Sequence, residues 1–250
     1  MKLRKIFICL IFAILFLCSC TNNNSDSNTK TSKFEAISMK VSTKTEFNYY
    51  LYTPSEDQDN LGLIIYLHGG SGMPNTRLGD LSLLTEEDGL PKFVKEGQIL
   101  PNSYIVFPQL PYGYKGWSNV EDDLFTFIDL VSTKLNCNKN KISITGHSMG
   151  GKGTWDIALA SPKTFYKIAP LSGNVTLNEE NLNTLSNSNI WAFVGSADII
   201  VDPMSSIDFI DFLSVNNKNA KITVLDGYTH FDVPNVYLSS EYNLLDWLVN

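Results

Sequence analysis

The chain has 250 residues, of which 43% are hydrophobic, 12% aromatic and 18% charged, with a formal net charge of -7. Hydrophobicity is too high and charge too low for overall disorder, and 16 glycines and 4 cysteines exclude collagen-like and disulfide-scaffold classes. An acidic protein is also poorly suited to coating a phosphate backbone, so no nucleic-acid partner is expected.

In chain order, the first signal is Lys2, Arg4 and Lys5, followed by an apolar run of 12 residues, Ile6 to Leu17. A bilayer span takes roughly 20 apolar residues, so the pattern reads as an export signal over 1–19. Leu17-Cys18-Ser19-Cys20 resembles the lipobox of bacterial lipoproteins. That resemblance implies that Cys20 carries lipid and holds the protein on the extracytoplasmic face of the cell membrane. Loss of Lys2, Arg4 and Lys5 takes the charge from -7 to about -10. Electrostatic attachment to an anionic membrane is then disfavoured, and the lipid is left as the anchor. Cys9 and Cys18 leave with the signal, so Cys137 is the remaining thiol. It cannot form an intramolecular bridge and reads as a structural bystander. Thr21 to Lys33 is rich in Asn, Ser and Thr without a large apolar side chain, so 20–33 reads as a flexible tether.

From Phe34 onward, strands and helices alternate. Phe34–Val41 and Thr45–Thr53 predict two strands with period-two patterning. Leu63–Leu67, Ser103–Phe107, Lys141–Thr145, Tyr166–Leu171, Ile190–Val194 and Lys221–Leu225 are short apolar runs. Such runs suit strands covered on both faces, hence a largely parallel sheet. Met73–Pro101 is irregular and predicts loop with one or two short helices. Val120, Leu124, Phe127, Ile128, Val131 and Leu135 recur at helical spacing. So do Met204, Ile207, Ile210 and Leu213, then Tyr242, Leu245, Leu248 and Val249. No repeat or second linker divides 34–250, which predicts one α/β domain.

Chemistry enters at Gly146-His147-Ser148-Met149-Gly150, between a buried strand and a helix. G-x-S-x-G in that context is a nucleophile elbow, with Ser148 on a strained turn and glycines where a Cβ would collide. The Met149 amide then faces a developing oxyanion. His68-Gly69-Gly70-Ser71-Gly72, after an earlier strand, offers a second donor from Gly70 or Ser71. Three histidines compete for the role of base. His68 is expected to hold its loop and His147 to point away from the site of attack, which leaves His230. For the acid, Asp198 in the first turn after its strand is favoured over Asp202 and Asp226. Trp117, Tyr112 and Tyr114 are open to two readings, substrate lining or packing.

These motifs together resemble the α/β-hydrolase superfamily, with a mostly parallel central sheet flanked by helices. Within it, the likeness is to bacterial esterases related to polyhydroxybutyrate depolymerases, feruloyl and acetylxylan esterases and predicted secreted peptidases. It rests on Gly146-His147-Ser148-Met149-Gly150-Gly151, extended to Gly153-Thr154-Trp155, on Pro108-Gln109 with Gly116-Trp117, and on Gly195 to Asp198. Many relatives carry Gly-His at the base, where this chain has Thr229-His230. The resemblance implies a serine hydrolase cleaving carboxylic esters of small-molecule, carbohydrate or polymer substrates, without metal or organic cofactor. Cleavage of short peptides and a non-catalytic binding lipoprotein are the alternatives.

Overall fold

The computed structural model describes residues 31–55 and 60–250. The export signal, Cys20 and most of the tether lie outside these residues. Of the tether range, Lys33 already stands in the first strand, opposite Thr53.

Among the described residues, eight strands form one sheet: β1 (Lys33–Lys40), β2 (Glu46–Thr53), β3 (Leu63–Leu67), β4 (Tyr104–Pro108), β5 (Ile142–His147), β6 (Ile168–Leu171), β7 (Ile190–Gly195) and β8 (Ala220–Leu225). Their spatial order is β1-β2-β4-β3-β5-β6-β7-β8. β1 and β2 pair antiparallel, as do β2 and β4, and the other neighbours run parallel. The helices are α1 (Leu90–Lys95), α2 (Glu121–Lys134), α3 (Met149–Ala160), α4 (Glu179–Thr184), α5 (Met204–Ser214) and α6 (Leu244–Val249).

The apolar runs make central strands because each strand sends alternate side chains to opposite faces. Leu63, Ile65 and Leu67 of β3 enter one core with α2, α3 and α5, while Ile64 and Tyr66 enter the other with α1 and α6. Ile190 and Ala192 of β7 divide from Trp191 and Phe193 in the same way. Both faces are therefore covered, and alternating polarity disappears from the sequence. Helix α2 forms because Leu124, Phe127, Ile128 and Val131 fall on one buried stripe, with Glu121, Asp122 and Asp123 in its first turn. Acidic groups there favour the positive end of the helix dipole. Cys137 is buried in the first core, and burial raises its thiol pKa.

The chain-order expectations differ mainly at element ends. The strand expected from Tyr166 begins at Ile168, because Lys167 and Tyr166 turn outward to Trp247 and the C-terminal Asn250. The last helix begins at Leu244 rather than Tyr242, after Asn243 at φ 47°. Within 73–101, a 3₁₀ turn at Leu81–Thr85 and α1 occupy the irregular stretch. Parallel β3, β5, β7 and β8 all end at one edge of the sheet. Their following loops meet there, where ligands of open α/β sheets bind.

Candidate active site

The turn from β5 into α3 sets the centre of the site. Ser148 sits at φ 59°, ψ -119°, a conformation that L-residues rarely adopt. It is held by its own amide on the Leu171 carbonyl at 3.0 Å and by Lys152 N–H on its carbonyl at 2.9 Å. The flanking glycines are steric requirements. A Cβ on Gly146 would lie 2.5 Å from the Leu67 carbonyl oxygen, and one on Gly150 only 1.8 Å from it. The helix start thus presses directly onto the end of β3.

Three sequence-assigned side chains meet at this turn. Ser148 Oγ lies 2.8 Å from His230 Nε2, and His230 Nδ1 lies 2.8 Å from Asp198 Oδ2. With Nδ1–H donating to the carboxylate, Nε2 is free to accept the serine proton. The other carboxylate oxygen of Asp198 accepts the amides of Ile200 and Val201, each at 2.9 Å. Burial works to raise the Asp198 pKa. The Val201 amide, His230 and the Ile200 amide outweigh it and hold the carboxyl below its ordinary value. Ser172 adds a weaker pull from nearby, its buried hydroxyl making no hydrogen bond among the described residues. Asp202 and Asp226 do not reach the histidine. The first accepts the Met204 amide at the start of α5, and the second accepts the Ser196 hydroxyl.

The other two histidines are tied to backbone. His68 Nδ1–H donates to the Gly69 carbonyl at 2.6 Å, and Nε2 accepts the Leu110 amide at 2.9 Å. Trp117 Nε1 donates to the His68 carbonyl. Burial lowers the His68 pKa to about 4, so it is a neutral clamp on the glycine loop, as expected. Trp117 is buried and packs against Gly153, whereas Tyr112 and Tyr114 line surface clefts that contain none of Ser148, Asp198 and His230.

His147 requires a correction. It does not point away: its ring lies 4.6 Å from that of His230, and Nε2–H donates to the His230 carbonyl at 2.9 Å. Residue 147 precedes the reversal at Ser148, so its side chain emerges beside the base. Burial, then the neighbouring His230, lower its pKa to about 4. Asp232 is a second residue that sequence reading passed over. Its carboxylate accepts both the amide and the hydroxyl of Thr229, folding the loop that carries His230. The Thr-x-x-Asp spacing was the available signal, and it shows what Thr229 does in this loop.

Near Ser148, a Cβ on Gly69 would come within 3.5 Å of Ser148 Cβ, so the glycine loop passes alongside. The amides of Gly72 and Met73 close the 3₁₀ turn on Gly69 and Gly70 carbonyls. Among the described residues, the amides of Gly70, Ser71 and Met149 donate to no backbone carbonyl. No cluster of three or more His, Cys, Asp or Glu among the described residues is placed to hold a metal ion.

Residues 112–235 match the Dienelactone hydrolase family, a span that includes Ser148, Asp198 and His230. No curated protein matches the sequence. Solved structures share the fold at low identity. A thermostable esterase superposes with a TM-score of 0.67 at 20% identity, over 86% of this chain and 62% of that one. The present chain thus spans about three fifths of that esterase's length. A mutant feruloyl esterase module from Clostridium thermocellum, complexed with sinapinate, gives 0.61 at 16% identity, covering 84% and 86%. An S-formylglutathione hydrolase from Staphylococcus aureus gives 0.62 at 19%, covering 88% and 98%.

Proposed function

We propose that this chain is a hydrolase of the α/β-hydrolase superfamily that cleaves carboxylic esters through a Ser148–His230–Asp198 triad. The carrying observation is the unbroken hydrogen-bond path from Ser148 Oγ through His230 to Asp198. Ser148 Oγ attacks the ester carbonyl as His230 Nε2 takes its proton. Asp198 keeps the imidazole in the required tautomer and stabilises the imidazolium without taking the proton itself. The oxyanion is received by the Met149 amide and that of Gly70 or Ser71. His230 then protonates the departing alcohol, and water, activated by the same nitrogen, releases the acyl group from Ser148. One oxyanion donor contributes about 10² to 10³ in turnover.

The test is p-nitrophenyl acetate hydrolysis together with fluorophosphonate labelling. The parent should turn over and label, and Ser148→Ala should do neither. Equal activity in the variant would remove Ser148 from the mechanism.

The anchor belongs to the same reading. The basic residues before Ile6, the apolar run to Leu17 and the sequence through Cys20 support lipid attachment at the extracytoplasmic membrane face. More than one acyl chain is needed for stable attachment, which a multiply acylated Cys20 meets. Cys20→Ser should abolish palmitate incorporation; unchanged incorporation would overturn the anchor.

A further inference from the structure

The Asp198 carboxylate accepts three hydrogen bonds from firm donors. One oxygen takes the Ile200 and Val201 amides, each at 2.9 Å, and Oδ2 takes His230 Nδ1–H at 2.8 Å. An ionised carboxylate offers about four acceptor positions, so one remains, on Oδ2. The Asp198 side chain is only 1% exposed, which keeps bulk water from filling that position. A buried charge short of a hydrogen bond is costly, and a neighbouring side chain is the donor at hand.

Ser172 stands in that place. It follows β6, the strand between β5, which leads into Ser148, and β7, which leads into the Asp198 turn. In register, Leu171 lies opposite His147 on one side and Phe193 on the other. The Leu171–Ser172 peptide group bonds both ways. Its carbonyl accepts the Ser148 amide at 3.0 Å, and its amide donates to the Phe193 carbonyl at 2.9 Å.

The backbone here is fixed in an uncommon shape. Ser172 has φ 44° although it carries a Cβ, a conformation that persists where the surroundings over-determine it. Gly173 presses on the start of α3: a Cβ there would lie 2.2 Å from the Gly151 carbonyl carbon. The Gly173 carbonyl also accepts the Ser206 hydroxyl at 2.7 Å. A residue held on both sides keeps only its side-chain rotamer to adjust. Ser172 is 1% exposed, and among the described residues its hydroxyl has no hydrogen-bond partner. A donor without an acceptor and a carboxylate oxygen with room for one more donor are thus shut away from water at the same sheet edge. Ser172 also helps to hold the Asp198 carboxyl below its ordinary pKa.

We propose that Ser172 is a positioning residue, its Oγ–H donating to Asp198 Oδ2 so that the carboxylate is held towards His230 and its charge is shared during proton transfer. The role rests on the Ser148–His230–Asp198 reading above and works through Asp198, without contact to substrate. Without this donor, the carboxylate is freer to turn and more of its charge faces His230. The nearby His147 does not offset that charge, since burial keeps it neutral down to about pH 4.

The test compares Ser172→Ala and Ser172→Gly with the parent, using p-nitrophenyl acetate from about pH 5 to about pH 9. Both variants lack the hydroxyl. Glycine accepts a positive φ without strain, so it keeps the proposal testable should the alanine variant fail to fold. Each should lose about fivefold in kcat at near-constant KM. The acid limb of kcat/KM should move to higher pH by about half a unit, because the added negative charge favours the protonated base. In an Asp198→Asn background, Ser172→Ala should cost less than about twofold, since the charge it acts through is already gone. A folded variant with unchanged kcat and acid limb overturns the proposal. So does a loss of kcat with the acid limb unmoved, or an undiminished loss in the Asp198→Asn background. Those outcomes leave the triad standing. A parent that neither hydrolyses p-nitrophenyl acetate nor labels with a fluorophosphonate overturns the triad reading, and this proposal with it.

Discussion

Replacing Gly150 by alanine tests the architecture of the elbow at its tightest point. The added methyl would stand 1.8 Å from the Leu67 carbonyl oxygen, 2.5 Å from its carbon and 2.8 Å from the His68 carbonyl oxygen. All three are backbone atoms at the end of a central strand, so no side-chain rotation relieves the overlap. Ordinary contact begins near 3.4 Å, and α3 must move by more than an ångström relative to β3. Overpacking of this kind costs about 1–3 kcal/mol, and the backbone contact puts it at the upper end. For a domain of this size, 1 kcal/mol lowers Tm by about 2–4 °C, so a fall of roughly 6–12 °C is expected. Turnover should fall further than stability accounts for, since the Met149 amide rides on the displaced turn and the His68 loop is pushed from Ser148. A loss of about 10²-fold at a temperature where the variant is folded matches removal of one oxyanion donor. Gly116→Ala is the control. No atom lies within 4 Å of its added methyl, and φ is -177°, open to any residue. Thermal denaturation by circular dichroism and p-nitrophenyl acetate kinetics measure both variants. A Gly150→Ala protein that melts and turns over like Gly116→Ala would refute the steric account of the elbow.

The other expectations concern the polar groups around it. Asp198→Asn should lower kcat about 10⁴-fold while the protein stays folded, through loss of the productive His230 tautomer; Asp202→Asn should stay within about twofold of the parent. Activity tracking Asp202 instead would reassign the acid. His147→Phe keeps a ring beside His230 but removes the donor to its carbonyl. One such bond is about 1 kcal/mol, so kcat should fall about fivefold at near-constant KM, with partial rescue by His147→Gln. A changed KM with unchanged kcat would argue against a positioning role. Stability should decline as pH drops from about 6.5 towards 4. Over that window the unfolded chain binds protons at His68 and His147, whose folded pKa values are lowered to about 4, while the native state does not. For His68 alone this amounts to roughly 3 kcal/mol at pH 4. Asp198 acts at lower pH. Its depressed pKa contributes stability above the ordinary carboxylate value, lost as pH falls through the folded one. Urea melts at pH 7 and 4.5 check the histidine contribution, and a flat profile would show both rings free to protonate in the native state.

The order Ser148, Asp198, His230 was legible in the sequence because each follows its own apolar run. A run buried on both faces can be recognised from composition, and in parallel strands the following loops share one sheet edge. Elements defined by tertiary contacts were less legible. Helix α4 has no buried residue and begins on Asn178, whose side chain accepts the Asn181 amide. Its sequence therefore lacks the apolar stripe that betrays α2. Strand β6 is one of the shortest, and its start is decided by where Lys167 and Tyr166 find partners near the C-terminus. Those bonds span more than 75 positions and leave no local trace.

The three histidines show the same division more sharply. Position along the chain suggests His230 as base because it stands on the last loop, but it says nothing about what each ring nitrogen meets. His68 bonds only backbone, and the hydrogen bond of His147 also goes to backbone; burial keeps both neutral down to about pH 4. His230 alone has side chains on both nitrogens, a hydroxyl on one and a carboxylate on the other. A base needs that asymmetry: one nitrogen fixed by a charge that will stabilise the imidazolium, the other open towards the proton it takes. The direction of His147 escaped sequence reasoning because it depends on the reversal at Ser148. At φ 59° the chain turns sharply enough to bring residue 147 beside the same loop that Ser148 faces. The strained turn at Ser148 thus also places a neutral hydrogen-bond donor, His147, behind His230. Local backbone geometry at one residue couples two side chains that lie 82 positions apart in sequence.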